Sequence, residues 1–239
     1  MDLSSEESPA EYCRRIEAYL CRKNDGHLIR IVGPAFEQVT AWAERGVPLK
    51  VAFHGIDRYF DRYYAKGPRR RPVRVEFCEA DVLDVFDEWR RAVGVPAASG
   101  ASDGESDEGT TTRHGSLPAH LDRVIARLTS LRGGSDRTLD ELLETSVNEL
   151  DASRARAKTL RGDARRTFLD RLAAIDRLLL DAAREQCDAA TLEELRAEAE
   201  AELASFRSRM PAEAFDQARR ACVDRLIRER ARLPIINFE

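Results

Sequence analysis

A stretch of 22 residues near the middle of the chain has almost nothing to bury. Residues 95–116, VPAASGASDGESDEGTTTRHGS, are small, polar and acidic, and include no aromatic side chain. A segment of this composition cannot bury enough apolar surface to offset the conformational entropy lost on folding. We therefore predict a disordered linker at 95–116, with an N-terminal module at 8–94 and a C-terminal domain at 117–239.

The two parts on either side of this linker differ in the residues available for a core. Both tryptophans and all five tyrosines precede the linker, whereas the part after it is rich in Ala, Arg, Leu and Glu. Its apolar residues recur at helical spacing, for example at Leu139, Leu143 and Leu150. Because short connections such as RGGSD favour antiparallel neighbours, we predict an antiparallel helical bundle at 117–239.

The N-terminal module combines helical periods with short β-rich segments. A helix should follow the capping sequence SPAE, a second should begin at Pro34, and a third should follow the turn at Pro48. The segment RPVRVEF, residues 71–77, alternates like a half-buried strand. The segment HLIRIVG, residues 27–33, fits either a strand or an extended connector.

Two helices, a basic turn and a strand in this order are typical of a winged helix-turn-helix. We therefore predict a mainly α chain whose N-terminal module is winged-helix-like with a small β element. In this interpretation PLKVAFHGIDRYFDRYYAKG is the recognition helix and KGPRRRPVRV is the wing. The candidate nucleic-acid-binding residues are Lys50, His54, Arg58, Arg62, Lys66, Arg69, Arg70, Arg71 and Arg74.

The charge distribution supports this interpretation only locally. Residues 22–74 contain twelve basic and five acidic side chains, although residues 1–95 are neutral as a whole and the full chain has a net charge of −4. Clustered cations gain affinity for nucleic acid by releasing condensed counterions from phosphates. The sequence thus predicts a protein that binds DNA or RNA through one patch and uses the helical bundle or its tail to contact a protein partner.

Two other interpretations of the basic patch remain open. Of the 39 basic residues 35 are Arg, a bias that codon usage in a GC-rich genome would produce by itself, and Asp57 and Asp61 on the same helix can neutralise neighbouring arginines. The patch would then be an ordinary solvated surface. Alternatively, the chain is a protein–protein adaptor whose basic turn meets an acidic partner.

Catalytic and metal-binding signatures are missing from the sequence. The phosphate-binding and nucleophile motifs G-x-x-x-x-G-K-[ST], G-x-G-x-x-G and G-x-S-x-G do not occur, and the five cysteines are scattered without a C-x-x-C pair. His54, Asp57 and Asp61 share a helical face, but a metal site usually takes ligands from more than one element. We expect no enzyme activity, no metal and no cofactor, and a soluble cytoplasmic protein, since no signal peptide or apolar span is apparent.

Aromatic residues and the C-terminal tail offer two further hypotheses. Trp42 and Trp89 lie at helical spacing and are expected in the core, whereas Tyr64, beside the basic turn, is a candidate for stacking on bases. The tail LPIINFE is unusually apolar for a terminus. It should either dock on its own bundle or serve as a short partner-binding motif.

The segment WAERGVPLKV resembles a W-x-x-x-G-[IV]-P-L-x-V core found in a group of uncharacterised bacterial proteins. Residues 34–91 are also distantly similar to the helical domain of DnaD-type primosomal proteins, with Trp42, Ile56 and Trp89 matching in order. The chain departs from that pattern in two places. RPVRVEFC is predicted to be a strand, and the last helix lacks the paired tyrosines of that family. The resemblance implies binding to DNA and to partner proteins when replication starts.

Overall fold

A computed structural model describes residues 8–65, 67, 71–96, 116–131 and 137–238. Within these ranges the regular secondary structure is exclusively helical, so the mainly α prediction is confirmed. No described helix combines the length and the apolar character that a membrane span requires. The α-helices are α1 (Pro9–Lys23), α2 (Pro34–Arg45), α3 (Leu49–Tyr64), α4 (Glu79–Val93), α5 (Leu117–Leu131), α6 (Arg137–Ala157), α7 (Gly162–Glu185), α8 (Ala189–Leu203) and α9 (Ala212–Ala231). Two short 3-10 helices span Val75–Phe77 and Ala204–Arg209.

The predicted winged-helix module with a β element is wrong, because the described residues contain no strand. Residues 27–32 connect α1 to α2 without regular secondary structure, and the segment predicted as the second strand ends in the 3-10 helix Val75–Phe77. The backbone of Val73, which a strand would pair with a neighbouring strand, is instead hydrogen-bonded by the side-chain amide of Asn24. Most of the predicted linker, residues 97–115, lies outside the described residues.

The helices group into two compact units. The first unit comprises residues 1–98 together with residues 198–221, and the second comprises residues 99–197 and 222–239. Both α8 and α9 therefore contribute residues to each unit. Residues 198–221, which lie in the C-terminal domain predicted from the sequence, belong to the same compact unit as α1 to α4.

In the first unit, four amphipathic helices surround a core that includes both tryptophans. Helix α1 begins where the Ser8 Oγ accepts a hydrogen bond from the Glu11 N–H at 3.2 Å, with Pro9 in the first turn. Helix α3 packs against α4, and their backbones approach closely at Gly55. The largest buried side chains of this unit include Ile16, Leu20, Trp42, Ile56, Phe60 and Trp89.

Residues 198–221 complete the first unit on the side of α4. The Trp89 indole N–H donates a hydrogen bond at 3.0 Å to a carboxylate oxygen of Glu202, and both residues are buried. The ring of Phe206 packs against the rings of Phe86 and Trp89, with centroid distances of 6.4 and 5.9 Å. An aromatic cluster and a buried hydrogen bond thus attach this late segment of the chain to α4.

In the second unit, α6 packs against α5 and α7 around leucine side chains predicted by the helical period. These buried leucines are Leu121, Leu128, Leu143, Leu150, Leu172 and Leu179. The C-terminal tail docks on this unit: Ile236 is buried, and its N–H donates to a carboxylate oxygen of Asp176 at 2.8 Å. Asp176 also accepts two hydrogen bonds from the guanidinium of Arg228, at 3.1 and 2.5 Å.

Candidate nucleic-acid interface

The nine basic residues predicted to bind nucleic acid fall into three groups. Lys50, His54, Arg58 and Arg62 lie on successive turns of α3, and all four are exposed. Arg71 and Arg74 are exposed in the segment that precedes the 3-10 helix Val75–Phe77. The remaining three, Lys66, Arg69 and Arg70, lie outside the described residues.

The basic stripe of α3 is matched by carboxylates. A guanidinium nitrogen of Arg58 lies 2.9 Å from Glu88, and one of Arg62 lies 2.5 Å from Asp81. The hydrogen bond to Glu88 raises the pKa of Arg58 above its usual range. At the other end of the stripe, the Lys50 Nζ lies 2.7 Å from an oxygen of Glu198.

These pairs change the role predicted for α3. A recognition helix needs an unneutralised polar face that can enter a groove, but here α4 presents Asp81, Asp84 and Glu88 to the arginines of α3. The three acidic residues are spaced by three and four positions, so the sequence already places them on one face of α4. This spacing is the sequence feature from which ion pairs between α3 and α4 could have been predicted.

Three arginines at the end of this region stay open to solvent. The side chains of Arg62 and Arg74 are 60% and 67% exposed, although each has one carboxylate partner, Asp81 and Glu76 respectively. Arg71 is exposed, and no carboxylate of the described residues pairs with it. Exposed ion pairs are weak and screened by salt, so a phosphate can compete for these guanidinium groups.

Four aromatic rings cluster in this region, and one of them contacts Arg62. Phe77, which is 58% exposed, is nearly parallel to Tyr59, with a centroid distance of 6.5 Å and an interplanar angle of 14°. Tyr59 in turn lies 5.7 Å from Tyr63 at 22°. Tyr64, which is 39% exposed, meets the edge of Tyr63 at 5.4 Å. Three of the four rings thus face in similar directions.

The rings and the arginines meet at Arg62. Its guanidinium carbon lies 5.4 Å from the centroid of the Tyr59 ring, a cation–π distance, while its nitrogen contacts Asp81. Arg74 is linked to the aromatic group through the 3-10 helix, since the Phe77 N–H donates to the Arg74 carbonyl at 3.2 Å. We call the set of Tyr59, Tyr63, Tyr64, Phe77, Arg62, Arg71 and Arg74 the aromatic–arginine surface.

The strand predicted at 71–77 would place Phe77 on the buried face, and this prediction is wrong. A strand would direct Val73, Val75 and Phe77 to one face, and the two valines are indeed buried. The 3-10 helix that begins at Val75 has three residues per turn, so Phe77 is rotated away from Val75 and points to solvent. Tyr64 was proposed for stacking from its position in the sequence and is exposed, whereas Trp42 and Trp89 are buried in the core.

The hypothetical acid/base or metal cluster of His54, Asp57 and Asp61 is not assembled. Asp57 accepts a hydrogen bond from the Tyr19 hydroxyl at 2.7 Å and pairs with the Lys23 ammonium at 2.9 Å. Burial and the neighbouring Asp57 carboxylate raise the pKa of Tyr19. No group of three or more His, Cys, Asp or Glu side chains within the described ranges could hold a metal ion.

Comparisons with known proteins add no relative. No protein-family model matches the chain, and neither curated proteins nor solved structures give a match.

Proposed function

We propose that this chain binds nucleic acid, without catalysis, through the aromatic–arginine surface. The observation that carries the proposal is the contact of exposed Arg62 with the ring of Tyr59, which stacks with the exposed ring of Phe77, three residues after exposed Arg74. Arginines hold phosphates through paired hydrogen bonds, and exposed rings offer a face to bases. Both halves of a nucleotide therefore find a chemical partner on one surface.

Local charge supports the same proposal. Residues 58–81 contain seven basic and four acidic side chains, whereas the whole chain has a net charge of −4. A polyanion would therefore be attracted to this region and not to the surface in general. The resemblance of residues 34–91 to DnaD-type helical domains also favours nucleic acid as the ligand. A protein partner for the second unit is a further part of the proposal.

Fluorescence anisotropy of the full chain with labelled oligonucleotides across a salt series tests the proposal. With three to four phosphates contacted, the logarithm of the affinity should fall against the logarithm of the salt concentration with a slope of about −2 to −4. The double substitution Arg71→Ala/Arg74→Ala should weaken binding and flatten the slope by about one to two. Its matched control is Arg137→Ala/Arg166→Ala, which removes two exposed arginines from the second unit.

The control variant separates a specific surface from general charge. If both double variants weaken binding equally, the affinity reflects net charge and the proposed surface is rejected. If neither variant binds differently from the parent chain, the surface is likewise rejected. Failure of the parent chain to bind any oligonucleotide would favour the adaptor interpretation, in which the basic turn contacts an acidic protein.

A further inference from the structure

We infer that the aromatic–arginine surface takes single-stranded nucleic acid, with an unpaired base stacked on Phe77. This inference rests on the proposed function and specifies its ligand. Phe77 is the most exposed ring of the surface, at 58%, and the nearly parallel Tyr59 lies 6.5 Å away. A ring with one supported side and a solvent-exposed remainder is the arrangement on which a base can stack.

Hydrogen bonds and buried neighbours fix the backbone that carries the Phe77 ring before a ligand binds. Its 3-10 helix is closed by hydrogen bonds from the Phe77 N–H to the Arg74 carbonyl and from the Cys78 N–H to the Val75 carbonyl, at 3.2 and 2.9 Å. Val75 and Cys78, on either side, are fully buried. A ring on a fixed backbone loses less conformational entropy when a base stacks on it than a ring on a mobile segment would, which favours binding.

Phosphates of the same strand have partners close to this ring. Arg74 precedes Phe77 by three residues, and Arg62 lies against Tyr59, which stacks with Phe77. Both guanidinium groups are mostly exposed and have further N–H groups beyond those that contact their carboxylates. One strand could thus place a base on Phe77 and adjacent phosphates on Arg62 and Arg74.

Duplex nucleic acid fits this surface less well. In a duplex the bases are already stacked on one another and cannot cover an exposed ring without being unpaired, which costs a few kcal/mol. Reading a groove would require the basic residues along the whole of α3, but Lys50 and Arg58 are paired with Glu198 and Glu88. The surface therefore favours unpaired strands of DNA or RNA.

The test compares four labelled probes with the full chain: a 20-nucleotide oligothymidylate, a 20-nucleotide oligouridylate, and 20-base-pair DNA and RNA duplexes. The parent chain should bind at least one single strand about tenfold or more tightly than the corresponding duplex. Phe77→Ala should weaken single-strand binding about five- to hundredfold, and Phe77→Trp should preserve it. Leu28→Ala, which removes an even more exposed apolar side chain of the same unit, should have no effect.

The outcomes separate this inference from the proposed function. Equal or tighter binding of duplex, or an unchanged affinity in Phe77→Ala, overturns the stacking inference. In that case the nucleic-acid proposal survives if Arg71→Ala/Arg74→Ala still weakens binding more than its control. Absence of binding to all four probes overturns both. A difference between oligothymidylate and oligouridylate, when Phe77 matters for both, tells which of the two single strands the surface binds more tightly.

Discussion

The side chain of Asn24 pairs with the backbone of Val73 in both directions. The Asn24 Oδ1 accepts a hydrogen bond from the Val73 N–H at 2.7 Å, and the Asn24 Nδ2 donates to the Val73 carbonyl at 3.0 Å. The same Nδ2 also donates to the carbonyl of Leu20, one turn earlier in α1, at 2.9 Å. A single buried amide thus joins the end of α1 to the segment that carries Arg71 and Arg74.

Replacement of Asn24 by Ala should lower the free energy of unfolding by about 2–4 kcal/mol. The substitution removes three hydrogen bonds and leaves the Val73 N–H and carbonyl without their partner in a buried place. Urea denaturation of the full chain measures the change, followed by tryptophan fluorescence for the first unit and by far-UV circular dichroism for the whole chain. Asn148→Ala, at an exposed position of α6, is the matched control and should change stability by less than about 0.5 kcal/mol. Equal stability of the Asn24→Ala variant and the parent would contradict the structural role given to this amide.

The contact between Asn24 and Val73 illustrates why one part of the fold could be predicted from the sequence and another could not. Helices α1 to α4 follow from capping residues and apolar periods, which are local properties of the sequence. The apparent strand at 71–77 follows a local pattern too, but its secondary structure depends on what satisfies the Val73 backbone. That partner, Asn24, lies 49 residues earlier, so no local pattern could reveal that a side chain replaces a neighbouring strand.

Substitution of Gly55 by Ala should destabilise the first unit by about 1–3 kcal/mol, despite the higher helix propensity of Ala. A Cβ atom at this position would lie 2.4 Å from the Cα of Val82 and 2.8 Å from its backbone nitrogen. Because backbone atoms cannot rotate away, α3 and α4 would have to separate. Thermal unfolding checks the change, and Asp84→Glu, which adds one methylene at an exposed position of α4, is the control. A Gly55→Ala variant as stable as the parent would mean that the two helices can move apart freely.

Truncation of Phe206 to Ala should destabilise the first unit by about 3–5 kcal/mol. The ring is buried and packs against Phe86 and Trp89, although it lies more than a hundred residues later in the chain. Both tryptophans belong to the first unit, so the urea midpoint of tryptophan fluorescence reports on this unit. Phe77→Ala, which truncates an exposed ring, should leave the midpoint nearly unchanged. A normal midpoint in Phe206→Ala would argue against the assignment of residues 198–221 to this unit.

That assignment could not be deduced from the sequence. Residues 198–221 have the same Ala-, Arg- and Glu-rich composition as the rest of the C-terminal part, and the apolar period at Leu203 and Phe206 shows only that one face is buried. What covers that face depends on shape: the rings of Phe86 and Trp89 meet Phe206, and the carboxylate of Glu202 meets the Trp89 indole. Periodicity identifies a buried face but not its neighbour.

The thiol of Cys78 should be unreactive in the folded protein. Burial, together with the nearby carboxylates of Asp81 and Glu76, raises the pKa of Cys78 from 9.0 to about 12. Because the folded pKa is the higher one, the neutral thiol contributes stability that is complete below about pH 9 and is lost as the pH rises toward 12. Iodoacetamide at pH 8.5 should therefore alkylate Cys78 at least about tenfold more slowly than half-buried Cys187, and equally fast in urea. Equal rates in the native protein would show that the site opens readily.

Neutralisation of Glu76 should strengthen nucleic-acid binding. One oxygen of Glu76 lies 2.6 Å from a guanidinium nitrogen of Arg74, so the carboxylate competes with phosphate for this arginine and repels the polyanion. We expect Glu76→Gln to raise the affinity for single-stranded DNA about two- to fivefold at low salt, an effect that should diminish as salt is added. The matched control, Glu141→Gln, releases exposed Arg137 on α6 from the same kind of pair. If anisotropy shows the same gain for both variants, net charge accounts for it; a gain confined to Glu76→Gln places the phosphate at Arg74.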